Sequence, residues 1–223
     1  MIVTIRPEPG ASATLAAGRE CGLELVSFPL FEVQKLAWDA PDPAAVDALL
    51  IGSANAIRHG GSGLALYREK PVHAVGAATA EAARDHGFAV ASVGQGGLQS
   101  LLDGMAKDGI RLLRLAGAEN VDLTVPPHIE VTARIVYEVV ALPLPARLQQ
   151  LLQRGATVLL HSAAAARHFH AECNRLGFDL ARISLACLGP RIAAAAGEGW
   201  AALRSAPQPT DAALLALARE LCH

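Results

Sequence analysis

Short apolar runs alternate with alanine-rich, helix-like segments along almost the whole chain. Each run has about the length of a β-strand, and strands that alternate with helical segments are typical of α/β folds with parallel sheets. The pattern predicts strands over residues 2–5 and 24–28, a helix over 11–21, and further strands centred near Leu50, Ala74, Val90, Leu113, Leu159, Leu185 and Ala201. The four strands from Leu50 to Leu113 are each expected to be followed by a helix.

The chain also contains an internal repeat. Residues 49–58 resemble residues 158–167, because in both segments an apolar run ends just before a serine and an alanine-rich stretch follows. Further on, residues 75–83 resemble residues 188–196, and in both a glycine precedes the helical stretch. Two copies of one α/β unit predict two similar lobes, each with a parallel sheet flanked by helices, and a ligand-binding cleft between the lobes.

Two longer extended stretches, 29–34 and 129–144, interrupt this alternation. We interpret them as two strand-like linkers that join the lobes and form a hinge. Lobe one is then discontinuous, with residues 1–34 plus 140–223, and lobe two is the insert, with residues 37–137. A division into two consecutive domains near residues 125–145 is simpler, but it leaves the first two strands without a repeat partner.

The composition is suited to two aliphatic cores. Of the 223 residues, 52% are hydrophobic but only 4% are aromatic, and no apolar run reaches the roughly 18 residues that a membrane span needs.

The first residues predict a strand and not a signal peptide, because a charged turn that contains proline follows at once. The four cysteines lack CxxC spacing, so we expect them to be reduced and the protein to be cytoplasmic.

Charge and the remaining motifs argue against several functional classes. The net charge of −2 disfavours general nucleic-acid binding. The 16 arginines outnumber the 3 lysines, which indicates either recognition of carboxylates or phosphates, or a GC-rich genome. The glycines of residues 94–97 lack the later features of a dinucleotide fingerprint, and His161, His168 and His170 are not spaced as metal ligands. We therefore expect neither a nucleotide nor a metal.

Several short motifs occur in a characteristic order. They are Arg6-Pro7, Ser53-Ala54-Asn55-Ala56 after a strand, Val75-Gly76-Ala77-Ala78-Thr79-Ala80, Val136-Tyr137 in the second linker, Ser162 after a strand, and Gly189-Pro190. In their order and spacing, over essentially the whole chain, they make the sequence resemble the uroporphyrinogen-III synthase family. The chain departs from the family pattern at Ile5 and Ile192, where family members often carry threonine.

The resemblance implies an enzyme, a cyclising hydro-lyase. It would close hydroxymethylbilane into uroporphyrinogen III, with loss of water and inversion of the last pyrrole ring, without a cofactor or metal. The same substrate cyclises spontaneously, without inversion, to the type I isomer. A 100:1 preference for type III needs a barrier difference of only about 2.7 kcal/mol, which orientation alone can supply. The alternative is a catalytically inactive bilobed regulatory protein that binds a tetrapyrrole or a small anion.

Four strand-to-helix junctions are candidate binding sites for the substrate's carboxylates: Ser53, Gly76, Ser162 and Gly189. Free backbone N–H groups and the helix dipole favour anions at such junctions. The two serines also suit ordinary helix N-caps, so both interpretations stay open.

Among side chains, Tyr137 is the candidate catalytic residue, because it matches the tyrosine of the family and its phenol could assist departure of the hydroxyl group. The alternative is a packing aromatic, equivalent to Phe31 on the first linker. The further candidates for substrate binding are Arg6, Ala54, Asn55, Thr79 and Arg191. We expect a monomer that binds a small-molecule substrate and has transient contact with hydroxymethylbilane synthase.

Overall fold

The computed structural model describes residues 1–105 and 109–222. The chain divides into two compact units. Unit 1 comprises Met1–Glu32 and Val140–His223, and unit 2 comprises Val33–Val139.

The described residues form eleven strands and eight α-helices, in an almost regular alternation. In chain order they are β1 (Ile2–Thr4), α1 (Gly10–Glu20), β2 (Leu25–Ser27), β3 (Phe31–Lys35), β4 (Ala48–Ile51), α2 (Ala54–His59), β5 (Val72–Val75), α3 (Ala77–Asp85), β6 (Val90–Gly94), α4 (Gly97–Asp103), β7 (Ile110–Gly117), β8 (Ile129–Ala141), α5 (Ala146–Gln153), β9 (Ala156–Leu160), α6 (Ala163–Arg175), β10 (Ile183–Cys187), α7 (Pro190–Ala195), β11 (Ala202–Ser205) and α8 (Asp211–Leu221). Short 3-10 turns lie at Pro43–Ala45, Ser62–Tyr67 and Leu180–Arg182.

Each unit is built on its own sheet. The five-stranded sheet has the order β11-β10-β9-β1-β2, and its neighbouring strands pair in parallel. The six-stranded sheet has the order β3-β8-β7-β4-β5-β6, with parallel pairing from β8 to β6. Strands β3 and β8 overlap the two extended stretches of the sequence, and the boundaries between the two units fall within them. The predicted α/β fold class is therefore confirmed.

The central strands are apolar without alternation because both faces of each sheet are covered. All four residues of β4 and all five of β9 are buried. In unit 1, one apolar cluster contains Val158 and Phe169, and another contains Leu159 and Leu214. Adjacent residues of one strand thus enter different clusters, which is the arrangement of a parallel sheet between two helical layers.

One predicted helix is absent: residues 118–128, which follow β7, form no helix. These eleven residues connect two parallel strands, so the chain must return along the eight residues of β7, about 26 Å. Eleven residues reach that far when extended but only about 16 Å as a helix. Pro126 and Pro127 also disfavour a helix at the end of the segment.

The structure also bears on membrane insertion. Among the residues it describes, no helix is long and apolar enough to cross a membrane.

Candidate active site

Two of the predicted junctions lie next to one another in unit 2, at the carboxyl ends of the neighbouring strands β4 and β5. Ser53 is the N-cap of α2, and its hydroxyl accepts a hydrogen bond from the Asn55 N–H at 3.2 Å. Gly76 is the N-cap of α3 with φ of 79°, a left-handed conformation that favours glycine. A side chain at Gly76 would meet no atom within 4 Å, so the backbone at this junction is open to a ligand.

The other two junctions lie in unit 1, at the carboxyl ends of β9 and β10. Ser162 is the N-cap of α6, and its hydroxyl accepts from the Ala165 N–H at 3.1 Å. Gly189 is the N-cap of α7 in extended conformation, and a side chain there would also meet nothing within 4 Å. Both predicted serines therefore cap their helices, which leaves the remaining backbone N–H groups of each first turn as the donors available to an anion.

Tyr137 lies half-buried on β8. The register between β7 and β8 shifts after Ala116, so that Tyr137 pairs with Gly117. The phenol ring packs closely on this glycine: a Cβ at Gly117 would lie 2.6 Å from Cζ and 2.9 Å from the hydroxyl oxygen of Tyr137. The ring of His59 lies near it as well, with the two centroids 6.4 Å apart. Gly117 is thus required for the position of the phenol.

A cavity of about 200 Å³ in unit 2 brings two of the predicted residues together. Its lining includes Ser53 at the start of α2, Tyr137 on β8, and Arg114 and Asn120 from β7 and the following segment. The lining also includes Glu119, so the cavity combines two hydroxyl groups, an amide, a guanidinium and a carboxylate. The donors among them suit a strongly hydrogen-bonding group of a ligand, and the guanidinium suits an anionic one.

Arg114 is the buried cation of this lining. It lies on β7 and is only 6% exposed. Its Nη2 donates to the Val121 carbonyl at 2.8 Å, and its Nε is buried without a hydrogen-bond partner among the described residues. Burial lowers the pKa of Arg114, and the Asp122 carboxylate opposes this effect through space.

Arg6, at the corresponding edge of the unit 1 sheet, is already engaged in a polar cluster. Its Nη1 donates to Thr14 Oγ1 at 3.1 Å and to Asp211 Oδ2 at 3.2 Å. The same carboxylate accepts from the Thr14 hydroxyl at 2.9 Å. The charge of Arg6 is therefore compensated within the protein.

His161 completes this cluster. Its Nε2 lies 3.3 Å from Asp211 Oδ1, yet neither ring nitrogen has hydrogen-bond geometry with any described residue, and the side chain is only 7% exposed. Burial, assisted by the positive charge of Arg6, lowers the pKa of His161 to about 4, although Asp211 acts in the opposite direction. The imidazole is thus neutral at physiological pH.

The remaining candidates for substrate binding all lie in the first turns of helices. Ala54 and Asn55 form the first turn of α2 and are half-buried. Thr79 lies in the first turn of α3 and is 5% exposed, so little of its hydroxyl is accessible. Arg191 is exposed at the start of α7.

Two further histidines that were considered as metal ligands, His168 and His170, make other contacts. His168 Nε2 lies 2.7 Å from the Leu142 carbonyl, and His170 Nε2 lies 3.0 Å from Asn174 Nδ2. Across residues 1–105 and 109–222, no three His, Cys, Asp or Glu side chains are grouped so as to hold a metal ion.

The residues predicted from the sequence do not include Arg114, Asn120 or the partners of Arg6. Arg114 had a visible signal, since an arginine between Leu113 and Leu115 interrupts the apolar run of residues 112–116. Asp211 had none, because it is 205 positions away from Arg6 in the chain.

A family model described as uroporphyrinogen-III synthase HemD matches residues 12–216. The chain belongs to the uroporphyrinogen-III synthase family. This confirms the family predicted from the motifs, and the match spans most of both units.

Solved structures support the fold. The chain is similar to uroporphyrinogen-III synthetase from Helicobacter pylori, with a TM-score of 0.66 and 20% identity over 99% of this chain and 98% of that one. It is also similar to a mutant uroporphyrinogen III synthase from Thermus thermophilus, with a TM-score of 0.51 and 17% identity over 99% and 98% of the two chains. No curated protein matches the sequence.

Membership of the uroporphyrinogen-III synthase family identifies the chain as an enzyme of porphyrin biosynthesis with a cyclising, lyase-type activity. Nothing in the comparisons favours the inactive regulatory protein.

Proposed function

We propose that this chain is a cofactor-independent hydro-lyase that converts hydroxymethylbilane into uroporphyrinogen III and water. The main support is the family match over residues 12–216, together with one cavity that Tyr137 and Ser53 both line. The enzyme has to favour one ring closure over another, and a difference of about 2.7 kcal/mol between the two barriers is sufficient for a 100:1 product ratio.

The reaction begins at the hydroxymethyl carbon. Its C–O bond breaks, the hydroxyl group takes up a proton and leaves as water, and an electrophilic azafulvene remains. The substituted carbon of the last pyrrole ring attacks this carbon and gives a spiro intermediate. Rearrangement then inverts that ring, and loss of a proton restores the aromatic pyrrole, so the net change is the loss of one water molecule.

Tyr137 is our candidate for the group that assists the departure of the hydroxyl. Its phenol can donate a hydrogen bond to the leaving oxygen and act as a weak general acid. Gly117 fixes the ring at the edge of the cavity, so the donor is pre-positioned and little entropy is lost on binding.

The four junctions are our candidates for binding the carboxylates of the substrate. The helices α3 and α6 have 9 and 13 residues, whereas α2 and α7 have only 6 each, so dipoles contribute most at Gly76 and Ser162. Each such contact is worth about 0.3–1 kcal/mol, and several together hold a substrate with many carboxylates. Asn55, Thr79 and Arg191 stay candidates for single polar contacts, and Ala54 for a contact through its backbone N–H.

The test is a coupled assay. Hydroxymethylbilane is generated with its synthase, this protein is added, the products are oxidised, and the porphyrin isomers are separated. We expect a predominance of type III; type I at the spontaneous rate would contradict the proposal.

In the same assay we expect Tyr137→Phe to lower the turnover about 100-fold, the low end of the range for general acids, because a phenol is a weak one. Tyr67→Phe is the matched control, since the Tyr67 hydroxyl is buried and donates to the Pro41 carbonyl at 2.5 Å. It should lower stability but leave the turnover of the folded protein unchanged. Equal turnover in the wild type and Tyr137→Phe would remove Tyr137 from the mechanism.

A monomeric state, a cytoplasmic location and transient contact with hydroxymethylbilane synthase stay predictions. Size-exclusion chromatography with light scattering tests the first, and cross-linking in the presence of the synthase tests the last.

A further inference from the structure

The guanidinium of Arg114 is buried and forms no ion pair among the described residues, although Asp122 acts on it through space. The ion pairs among the described residues involve Arg6, Arg111, His161, Arg175 and Arg204, and Arg114 is in none of them. Its one hydrogen bond is to a backbone carbonyl, and its Nε has no partner among the described residues. A buried charge without a partner costs several kcal/mol, so a protein that keeps one has a use for it.

The repeat in unit 1 supplies an internal comparison. Thr4 on β1 pairs with Leu159, and Arg114 on β7 pairs with Leu50, which is the repeat equivalent of Leu159. Arg114 therefore occupies, in the repeat, the position that Thr4 has in unit 1. Arg6 follows Thr4 by two residues, so Arg114 and Arg6 each place a cation near the carboxyl edge of their own sheet. In unit 1 that cation is compensated by Asp211, whereas none of the ion pairs among the described residues joins a carboxylate of unit 2 to Arg114. Asp122 acts on Arg114 only through space, and Glu119 lines the same cavity without pairing with it.

The surroundings of Arg114 leave space for a small anionic group. The cavity holds about 200 Å³, which is less than the roughly 300–1,000 Å³ of pockets that enclose a whole ligand. It is therefore suited to one side-chain arm of a larger molecule. Asn120 Nδ2 donates to the Gly117 carbonyl at 3.0 Å and so stabilises the turn that carries the Val121 carbonyl to Arg114.

We propose that Arg114 binds the carboxylate of one acetate or propionate arm of the tetrapyrrole in the cavity that Tyr137 and Ser53 line. This inference rests on the proposed function, since that function supplies a ligand with such arms. Arginine suits the task because its planar fork donates two parallel hydrogen bonds to one carboxylate. The arm would enter the cavity at the side of Tyr137 and so fix its own pyrrole ring near the phenol.

The test measures both stability and ligand binding. Replacement of a purely structural arginine would lower the stability and weaken binding together, whereas replacement of a ligand-binding arginine would weaken binding alone. The variants are Arg114→Met, which keeps much of the volume, and Arg114→Lys, which keeps the charge but not the fork. Arg111→Met is the matched control, because Arg111 lies on the same strand but is exposed and paired with Asp47 at 2.7 Å. The probe is uroporphyrin III, the oxidised product with all eight carboxylates, and the readouts are its Kd, the KM for hydroxymethylbilane and the Tm without ligand.

We expect Arg114→Met to leave the Tm unchanged or higher while it raises the Kd for uroporphyrin III about 10- to 100-fold and raises KM. Arg114→Lys should give an intermediate Kd, and Arg111→Met should bind as the wild type does. A lower Tm of Arg114→Met with an unchanged Kd would overturn the proposal, because it would make Arg114 a structural residue.

The two proposals fail separately. If the wild type gives no type III product but binds uroporphyrin III in an Arg114-dependent manner, the carboxylate site stands and the proposed activity fails. If type III forms and neither Kd nor KM responds to Arg114→Met, the activity stands and the carboxylate site fails.

Discussion

Acid should destabilise unit 1 through His161. The side chain is only 7% exposed, and its ring nitrogens have no hydrogen-bond partner among the described residues. The charged groups that act on it are Arg6, which disfavours protonation, and Asp211, which favours it. Because burial is the largest of these effects, the pKa of His161 in the folded protein falls to about 4.

The sign and size follow from this pKa. The unfolded chain takes up a proton on His161 near its ordinary pKa of about 6.5, whereas the folded protein does so only near pH 4. Between these values the unfolded state binds more protons, so the free energy of unfolding falls as the pH falls. At about 1.36 kcal/mol per pH unit, the loss contributed by His161 between pH 7 and pH 4 is about 3 kcal/mol.

The assay can report on unit 1 alone. The chain has two tryptophans, Trp38 in unit 2 and Trp200 in unit 1. In a Trp38→Phe background, urea unfolding followed by fluorescence from Trp200 gives the free energy of unfolding of unit 1 at each pH. We expect the difference between this protein and its His161→Gln derivative to change by about 3 kcal/mol between pH 7 and pH 4.

His161→Phe controls for shape, because it keeps a planar ring that does not titrate; it should follow His161→Gln in its pH dependence. A difference from the parent that does not vary with pH would refute the reasoning. So would an NMR titration that gives His161 a pKa of 6.5 or above.

Two further predictions concern packing and charge. Hydrogen bonds from Arg175 and from the Leu144 N–H lower the pKa of Glu172 to about 2, so its contribution to stability is complete above about pH 4.5 and is lost as the pH falls towards 2. Glu172→Gln should therefore lower the free energy of unfolding by about 2 kcal/mol at pH 7 and by little at pH 2; an equal loss at both would contradict this. Gly117→Ala should displace the ring of Tyr137, cost about 1–3 kcal/mol of stability and lower the type III yield in the coupled assay, whereas an unchanged yield would show that the ring position does not matter.

The parts of the fold that the sequence predicts are those that local pattern determines. β4 is an uninterrupted apolar run, and β9 is apolar except for Thr157, because both faces of each sheet are covered. Ser53 and Ser162 were recognisable as junction residues because a serine that follows a buried strand and precedes an alanine-rich stretch is a good N-cap.

The parts that failed or were missed depend on tertiary geometry. The helix predicted after β7 failed because the distance to the start of the parallel strand β8 requires an extended connection. The compensation of Arg6 by Asp211 joins positions 205 apart, and no spacing rule reaches that far. The isolation of Arg114 becomes visible only when its neighbours are known, since an arginine in an apolar strand could equally have had a partner.

The structure shows what surrounds Ile5 and Ile192, the two positions at which the chain departs from the family pattern. Ile5 is 1% exposed in an apolar cluster of unit 1, and Ile192 packs against that same cluster. A threonine hydroxyl at position 5 would have to find a hydrogen-bond partner there or bear a cost of about 1–3 kcal/mol, which isoleucine avoids. Ile192 is half-buried, so this cost does not apply to it in full. Neither change removes a group from the cavity that Tyr137, Ser53 and Arg114 line in unit 2. Both departures thus lie in unit 1 and leave intact the donors that line the cavity of unit 2. At the Gly189 junction, where Ile192 lies in the first turn of α7, the backbone N–H groups are the donors left to bind a carboxylate.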